Sequence, residues 1–234
     1  MRIFVVNPNT TVSMTEKIDA CARAAASPGT EIVTSNPKRG PVSIEGHYDE
    51  AIATPGLLEE IQRGEMAGAD AFVVACFDDP AIGACRELAT GPVLGICEAA
   101  MHAATMIASS FSVVTTLPRA VPIIEELAVR YGMERRCRRV RAADLPVLSL
   151  EEDSKARHQV LAEVRRAVAE DGCEAVILGC AGMADLTEWL SREAGVPVID
   201  GVVAAVRFAE ALVGAGLRTS KAGAYQPPRP KHVA

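Results

Sequence analysis

The chain has 234 residues, 49% apolar and 23% charged, enough for one large domain or two of roughly 100 residues each. Only 4% are aromatic and the formal net charge is −6, which argues against a nonspecific nucleic-acid binder, since such proteins use basic surfaces and stacking rings. Seven cysteines without paired spacings, no secretory signal after Met1, and an apolar stretch (about Ala99 to Thr116) broken by His102 and several Ser and Thr predict a cytoplasmic protein with free thiols and no membrane span.

Taken in chain order, Arg2–Asn7 reads as a strand of continuous apolar character, ending in the turn formers Asn7-Pro-Asn-Thr-Thr11. A helix follows from about Val12 to Ala26, with Ser13 expected as its N-cap and Ile18, Cys21 and Ala22 facing inward. After a strand at Glu31–Thr34, the segment Asn36–Tyr48 is a long irregular loop, of a kind that is often functional. A helix near Glu50–Ala67, a strand at Phe72–Cys76, a helix beginning at Pro80 and a strand at Val93–Ile96 complete the first half. The second half repeats the plan, with a helix near Glu98–Ala108, a strand at Phe111–Thr116, a helix over Pro118–Tyr131 and a strand at Cys137–Val140. A loop over Pro146–Ser154, a helix over Lys155–Glu170 and a strand at Val176–Cys180 follow. A helix over Met183–Ala194, a strand at Pro197–Ile199, a helix over Val202–Gly214 and an irregular tail at Gln226-Pro-Pro-Arg-Pro end the pattern. The basic run Arg135–Arg141 reads as a solvated loop and edge strand, where positive side chains discourage edge pairing.

Strand–helix alternation throughout implies an α/β chain with parallel sheets, whose ligands bind beyond the carboxyl ends of the strands. One internal repeat stands out. Gly68-Ala-Asp-Ala-Phe-Val-Val-Ala-Cys76 aligns without a gap on Gly172-Cys-Glu-Ala-Val-Ile-Leu-Gly-Cys180, since 172 − 68 and 180 − 76 are both 104. Two similar half-chains that each end a buried strand in a thiol suggest a site at their junction, related by a pseudo-twofold axis. Opposed thiols suit inversion of a stereocentre next to a carbonyl. One removes the proton from one face and the other returns a proton to the opposite face. Cysteine fits if an electropositive pocket lowers its pKa from about 8.5. Free N–H groups at the strand-to-helix turns would favour negative charge there and could stabilise an enolate oxygen by about 3 kcal/mol per donor.

The other cysteines (Cys21, Cys85, Cys97, Cys137 and Cys173) read as small buried hydrophobes, although Cys97 follows a strand end and could border the cleft. Cys76, Cys85 and Cys97 lack metal-ligand spacing. Asp78-Asp79-Pro80 reads as a helix start, with Asp79 as N-cap and Pro80 as first helical residue. His47 in the long loop reads as a surface residue, with contact to substrate as the competing reading.

The segments Asn7–Thr11, Gly40-Pro-Val-Ser-Ile-Glu45, Ala75-Cys-Phe-Asp-Asp-Pro80, Glu98-Ala-Ala100 and Leu178-Gly-Cys-Ala-Gly-Met183 resemble the hydantoin racemase family, which lies in the aspartate/glutamate racemase superfamily and includes allantoin racemases. The resemblance runs from Met1 to about Gly214. It implies two Rossmann-like α/β domains with the active site in the cleft between them, and cofactor-independent, two-base proton transfer at C5 of a hydantoin-type ring. Cys76 and Cys180 take the positions of the catalytic pair. Substrate-binding positions carried over are Asn9, Ser43, Ile44, Phe77, Thr115, Thr116, Gly179 and Ala181. A homo-oligomer without metal or organic cofactor is expected, with residues 1–97 plus 207–234 in one domain and 98–206 in the other. Cys97 stands where relatives commonly have glycine, which bears on the shape of the substituent pocket. Competing readings are an amino-acid racemase, a maleate isomerase or malonate decarboxylase of the same superfamily, and a non-catalytic two-lobe binding protein.

Overall fold

The computed structural model describes residues 1–146 and 154–230. The first half comprises β1 (Arg2–Val6), α1 (Val12–Ala25), β2 (Glu31–Ser35), α2 (His47–Met66), β3 (Ala71–Val74), α3 (Ile82–Leu88), β4 (Val93–Gly95) and α4 (Ile96–Ile107). The second comprises β5 (Phe111–Thr115), α5 (Val121–Arg130), β6 (Cys137–Ala142), α6 (Ser154–Arg166), β7 (Ala175–Leu178), α7 (Thr187–Ala194), β8 (Val198–Ile199) and α8 (Gly201–Gly214). A helix between successive strands carries the chain back across a sheet face, so each described strand pair is parallel. The sheets have the orders β2-β1-β3-β4 and β6-β5-β7-β8, the same order displaced by four strands. The likeness of the two cysteine segments thus extends through both halves.

Period-2 alternation along the central strands divides the core. Ile3, Val5, Ala71 and Val73 of the first sheet share one apolar cluster with Phe111, Val113, Ala175 and Ile177 of the second, filled in by α1, α4, α5 and α8. The intervening residues Phe4, Val6, Phe72 and Val74 turn outward beneath α2 and α3. Val114, Val176 and Leu178 do the same beneath α6 and α7. Strands covered on both faces are largely apolar, and β3, β5 and β7 are buried throughout, with Ser112 and Thr115 of β5 the buried polar residues among them. Helices α4 and α8 pack on each other in the middle layer, and α8 also lies on β3 and β4, so the last helix returns to the first sheet. The breaks at 97/98 and 206/207 drawn from sequence fall inside α4 and α8.

Several local expectations need correction. Helix α1 is preceded by Thr11 rather than capped by Ser13, and the Thr11 hydroxyl donates to the Val42 carbonyl at 2.6 Å. The helix expected over Pro118–Tyr131 begins as a 3-10 turn at Pro118–Ala120, and the one expected from Met183 begins as a 3-10 stretch over Ala181–Leu186. The basic run holds one buried member. Strand β6 is an edge strand as expected, but Arg141 is only 5% exposed, with its guanidinium on Asp171, Glu163 and Glu170. The loop placed over Pro146–Ser154 falls on residues 147–153, outside the described residues.

Candidate active site

The carboxyl ends of β1, β3, β5 and β7 converge on one cavity, with about 470 Å³ of free space when the open solvent at its mouth is included. Cys76 and Cys180 both line it, each two residues past its strand. Of the binding residues read from sequence, Asn9, Ile44, Phe77, Thr115, Thr116, Gly179 and Ala181 are also on the wall. Ser43 is not. Its hydroxyl donates to the Glu45 carboxylate at 3.2 Å, and Glu45 takes the place on the wall. Met14, Ala75, Asp78, Leu117 and Ala120 complete the lining. His47 opens α2 with its side chain 70% exposed, away from the cavity.

Close packing holds the two strand ends together. An added Cβ on Gly179 would lie 2.8 Å from the Thr115 Cβ, so only glycine lets the turn before Cys180 approach β5 this closely. Thr115 fastens the contact by donating its hydroxyl to the Gly179 carbonyl at 2.9 Å. On the first sheet the buried Asn7 side chain donates to Asn9 Oδ1 at 2.9 Å and to the Thr15 hydroxyl at 3.0 Å, which fixes Asn9 on the wall.

The thiols occupy matched surroundings. The backbone N–H of Asp78 faces the Cys76 sulfur, and that of Gly182, its counterpart 104 residues on (182 − 78), faces Cys180. These donors favour the thiolates, as expected of the turns. The pocket is not electropositive, however: among the described residues its lining carries Glu45 and Asp78 and no Lys or Arg. Burial, followed by the Asp78 carboxyl, lifts Cys76 well above the usual thiol value. Burial lifts Cys180 to about 11 against the pull of the Gly182 N–H, with Asp78, Asp200 and Glu45 adding to the rise. Both cysteines are half-buried, and the wall beside them offers little positive charge to offset the hydration each sulfur loses. Both shifts favour the protonated thiols at neutral pH.

The two aspartates after Cys76 have different tasks. Asp79 does not cap α3; it has φ 44°, and α3 begins at Ile82 behind a left-handed Ala81. Its carboxylate instead caps α4 from a distance, accepting the N–H groups of Cys97 at 3.1 Å and Glu98 at 2.9 Å. Tyr131, at the end of α5, adds its hydroxyl at 2.8 Å. Gly95 makes room, since a Cβ there would fall 2.2 Å from the Asp79 carboxylate. The matching position before α8 is Asp200, which caps its own helix through the Val203 N–H at 2.8 Å. Burial raises Asp79 to about 7 despite these donors. Asp78 is likewise raised to about 7, by burial first and then by Glu50, Asp79 and Asp49, but its Oδ2 is buried with no hydrogen-bond partner.

Cys97 does not border the cavity. It is fully buried in the central core and its N–H is bound by Asp79, so the extra thiol leaves the pocket wall unchanged. Among the described residues, no three His, Cys, Asp or Glu side chains are grouped to hold a metal ion, and no helix is long and apolar enough to cross a membrane. Glu45 and Asp78 could have been sought from sequence, since both adjoin segments already singled out. Met14, Leu117 and Ala120 carry no such signal, because apolar wall residues look like any other buried positions.

The model of the family described as Asp/Glu/Hydantoin racemase matches residues 3–209. The chain is 55% identical over 235 residues to the hydantoin racemase of Rhizobium meliloti, covering 100% of this chain and 98% of that one. It is 49% identical over 232 residues to the hydantoin racemase of Pseudomonas sp., covering 99% and 93%. The solved allantoin racemase from Klebsiella pneumoniae matches with a TM-score of 0.98 at 54% identity, covering 100% of this chain and 96% of that structure.

Proposed function

The chain belongs to the Asp/Glu/Hydantoin racemase family and is a racemase by class, and from that premise we propose that it racemises 5-monosubstituted hydantoins, allantoin among them, by two-base proton transfer. One observation carries the mechanism: two thiols from equivalent turns of a repeated fold line one cavity, each beside an N–H two residues on. A ring seated between them presents its C5–H to one sulfur that has given up its proton to solvent and stands as thiolate. That sulfur takes the proton, the electron pair passes toward the C4 oxygen, and the opposite thiol protonates the other face. Each turnover ends with the ionised and protonated sulfurs exchanged. Asn9 and the Thr115–Thr116 strand end offer polar groups to the ring, while Ile44 and Phe77 form apolar wall. The two lobes of this reading are residues 1–97 with 207–234 and residues 98–206, and the mechanism calls for no cofactor.

An amino-acid substrate fits the cavity less well. Its α-carboxylate would meet Glu45 and Asp78 with no lining Arg or Lys to hold it, and like charges at short range in a dry pocket are costly. A neutral imide avoids that repulsion. A purely binding role leaves the matched thiols without a purpose.

Loss of optical rotation of an enantiopure 5-alkylhydantoin and of allantoin in deuterated water tests the reading. Wild type should racemise the ring with deuterium entering at C5, and Cys76→Ala and Cys180→Ala should each lose about 10²-fold or more in rate. Wild-type rates in both variants would refute the two-base mechanism.

A further inference from the structure

The repeat singles out one position in the cavity. Residues 78 and 182 correspond, and their N–H groups face the two sulfurs in the same way, yet the second half has Gly182 where the first has Asp78. At this pair of equivalent positions a carboxyl group therefore stands beside Cys76 and none beside Cys180. Asp78 is 8% exposed and lines the cavity, and its Oδ2 is buried without a hydrogen-bond partner. Asp79, equally deep in the same turn, is met by three donors. A buried carboxyl oxygen left unmet by the protein is an acceptor awaiting a donor from elsewhere.

The identity of that donor follows from where Asp78 sits. Asp78 lines the same cavity as Cys76 and Cys180 and lies two residues beyond Cys76, so a ring held between the sulfurs passes beside it. A ring held with its reacting carbon between the sulfurs can bring one of that carbon's ring neighbours toward Asp78. In a hydantoin the two ring neighbours of C5 are the C4 carbonyl, which a carboxylate repels, and N1–H, which it attracts.

We propose that Asp78 is a specificity-determining residue whose carboxylate accepts the amide-type N–H bonded to the reacting carbon, the ring N1–H of a hydantoin. The inference rests on the racemase reading above. The contact orients the ring, with N1 toward Asp78 and the C4 carbonyl away from it, and leaves C5 between the thiols. It also selects against rings in which an acceptor replaces N1–H, because two acceptors would then face each other in a dry site.

The test compares an enantiopure 5-alkyl-3-methylhydantoin with the matching 5-alkyl-3-methyl-oxazolidine-2,4-dione, in which oxygen replaces N1–H; the methyl on N3 keeps both rings neutral at the assay pH. Racemisation is followed by polarimetry at about pH 8.5, where a carboxyl with a pKa near 7 is ionised, and each rate is divided by the compound's uncatalysed C5 exchange rate. Wild type should favour the hydantoin in kcat/KM by about tenfold or more. Asp78→Ala changes the thiols' surroundings equally for both rings and should bring their normalised kcat/KM values within about threefold of each other. Asp78→Asn, which retains a carbonyl acceptor, should restore most of the preference. A wild type with no preference, or an Asp78→Ala variant that keeps the wild-type ratio, would overturn the inference and leave the racemase reading intact. A wild type silent toward every hydantoin would overturn both.

Discussion

Alkylation of the two cavity thiols by iodoacetamide gives a direct measure of the electrostatics on which the mechanism depends. A free cysteine titrates near 8.5, whereas Cys180 is lifted to about 11. The difference of about 2.5 pH units leaves roughly 300-fold fewer thiolates at pH 7. The more basic thiolate is intrinsically more nucleophilic, and a Brønsted slope of about 0.4 returns roughly tenfold of this. Cys180 should therefore react about 30-fold more slowly than free cysteine at pH 7. Its rate should climb nearly tenfold per pH unit to at least about pH 9.5. Cys76, lifted by burial and by the carboxyl of the adjacent Asp78, should likewise react more slowly than free cysteine. Because the chain holds seven cysteines, the labelled sites must be resolved by peptide mass spectrometry after timed quenching. A plateau below pH 9 at either thiol, or a rate equal to free cysteine at pH 7, would refute the account of an electronegative, desolvated pocket. The same reasoning predicts racemisation that strengthens with pH across the neutral range.

Further expectations concern the frame that holds the turn after Cys76. Gly95→Ala would press a methyl group into the Asp79 carboxylate and disturb the α4 cap, costing about 3 kcal/mol and lowering Tm by roughly 6–12 °C in calorimetry; an unchanged Tm would contradict the packing. Burial raises Asp79 to about 7, so its protonated form favours folding and that contribution fades as pH rises from about 4 through 7. Tyr131→Phe removes a donor that favours the ionised form, so it should cost about 1–2 kcal/mol more at pH 8.5 than at pH 5 in urea unfolding; equal costs would exclude the hydrogen bond. Arg141→Met should destabilise by about 3–5 kcal/mol, because it strands the buried Asp171 without its guanidinium. Burial opposes ionisation of Asp171, but hydrogen bonds from Arg141 and Ser112 outweigh it and hold its pKa down. Its stabilising share is therefore present above about pH 4 and lost as pH falls, and Arg141→Met should flatten that acid limb.

Much of the architecture is visible in the chain because local pattern and global packing agree. Runs such as Phe4–Val6, Phe72–Val74 and Val176–Leu178 are apolar at every position, as strands covered on both faces largely are, and helices between them leave only parallel pairing. The offset of 104 between Gly68–Cys76 and Gly172–Cys180 corresponds in space to β3 and β7 at the same place in two equal sheets. Caps were less legible. Asp79 precedes a helix in sequence and looks like its cap, yet its carboxylate serves α4, because the turn after β3 folds back across β4.

Sequence by itself determined the strand-and-helix order, the repeat, and the two thiols at equivalent strand ends, since each follows from residue type and spacing along the chain. Only the tertiary structure decided the charge around those thiols, the exclusion of Cys97 and Ser43 from the wall, and the unmet oxygen of Asp78. The physical reason is that desolvation and hydrogen-bond satisfaction depend on every neighbour in three dimensions, and those neighbours come from both halves of the chain.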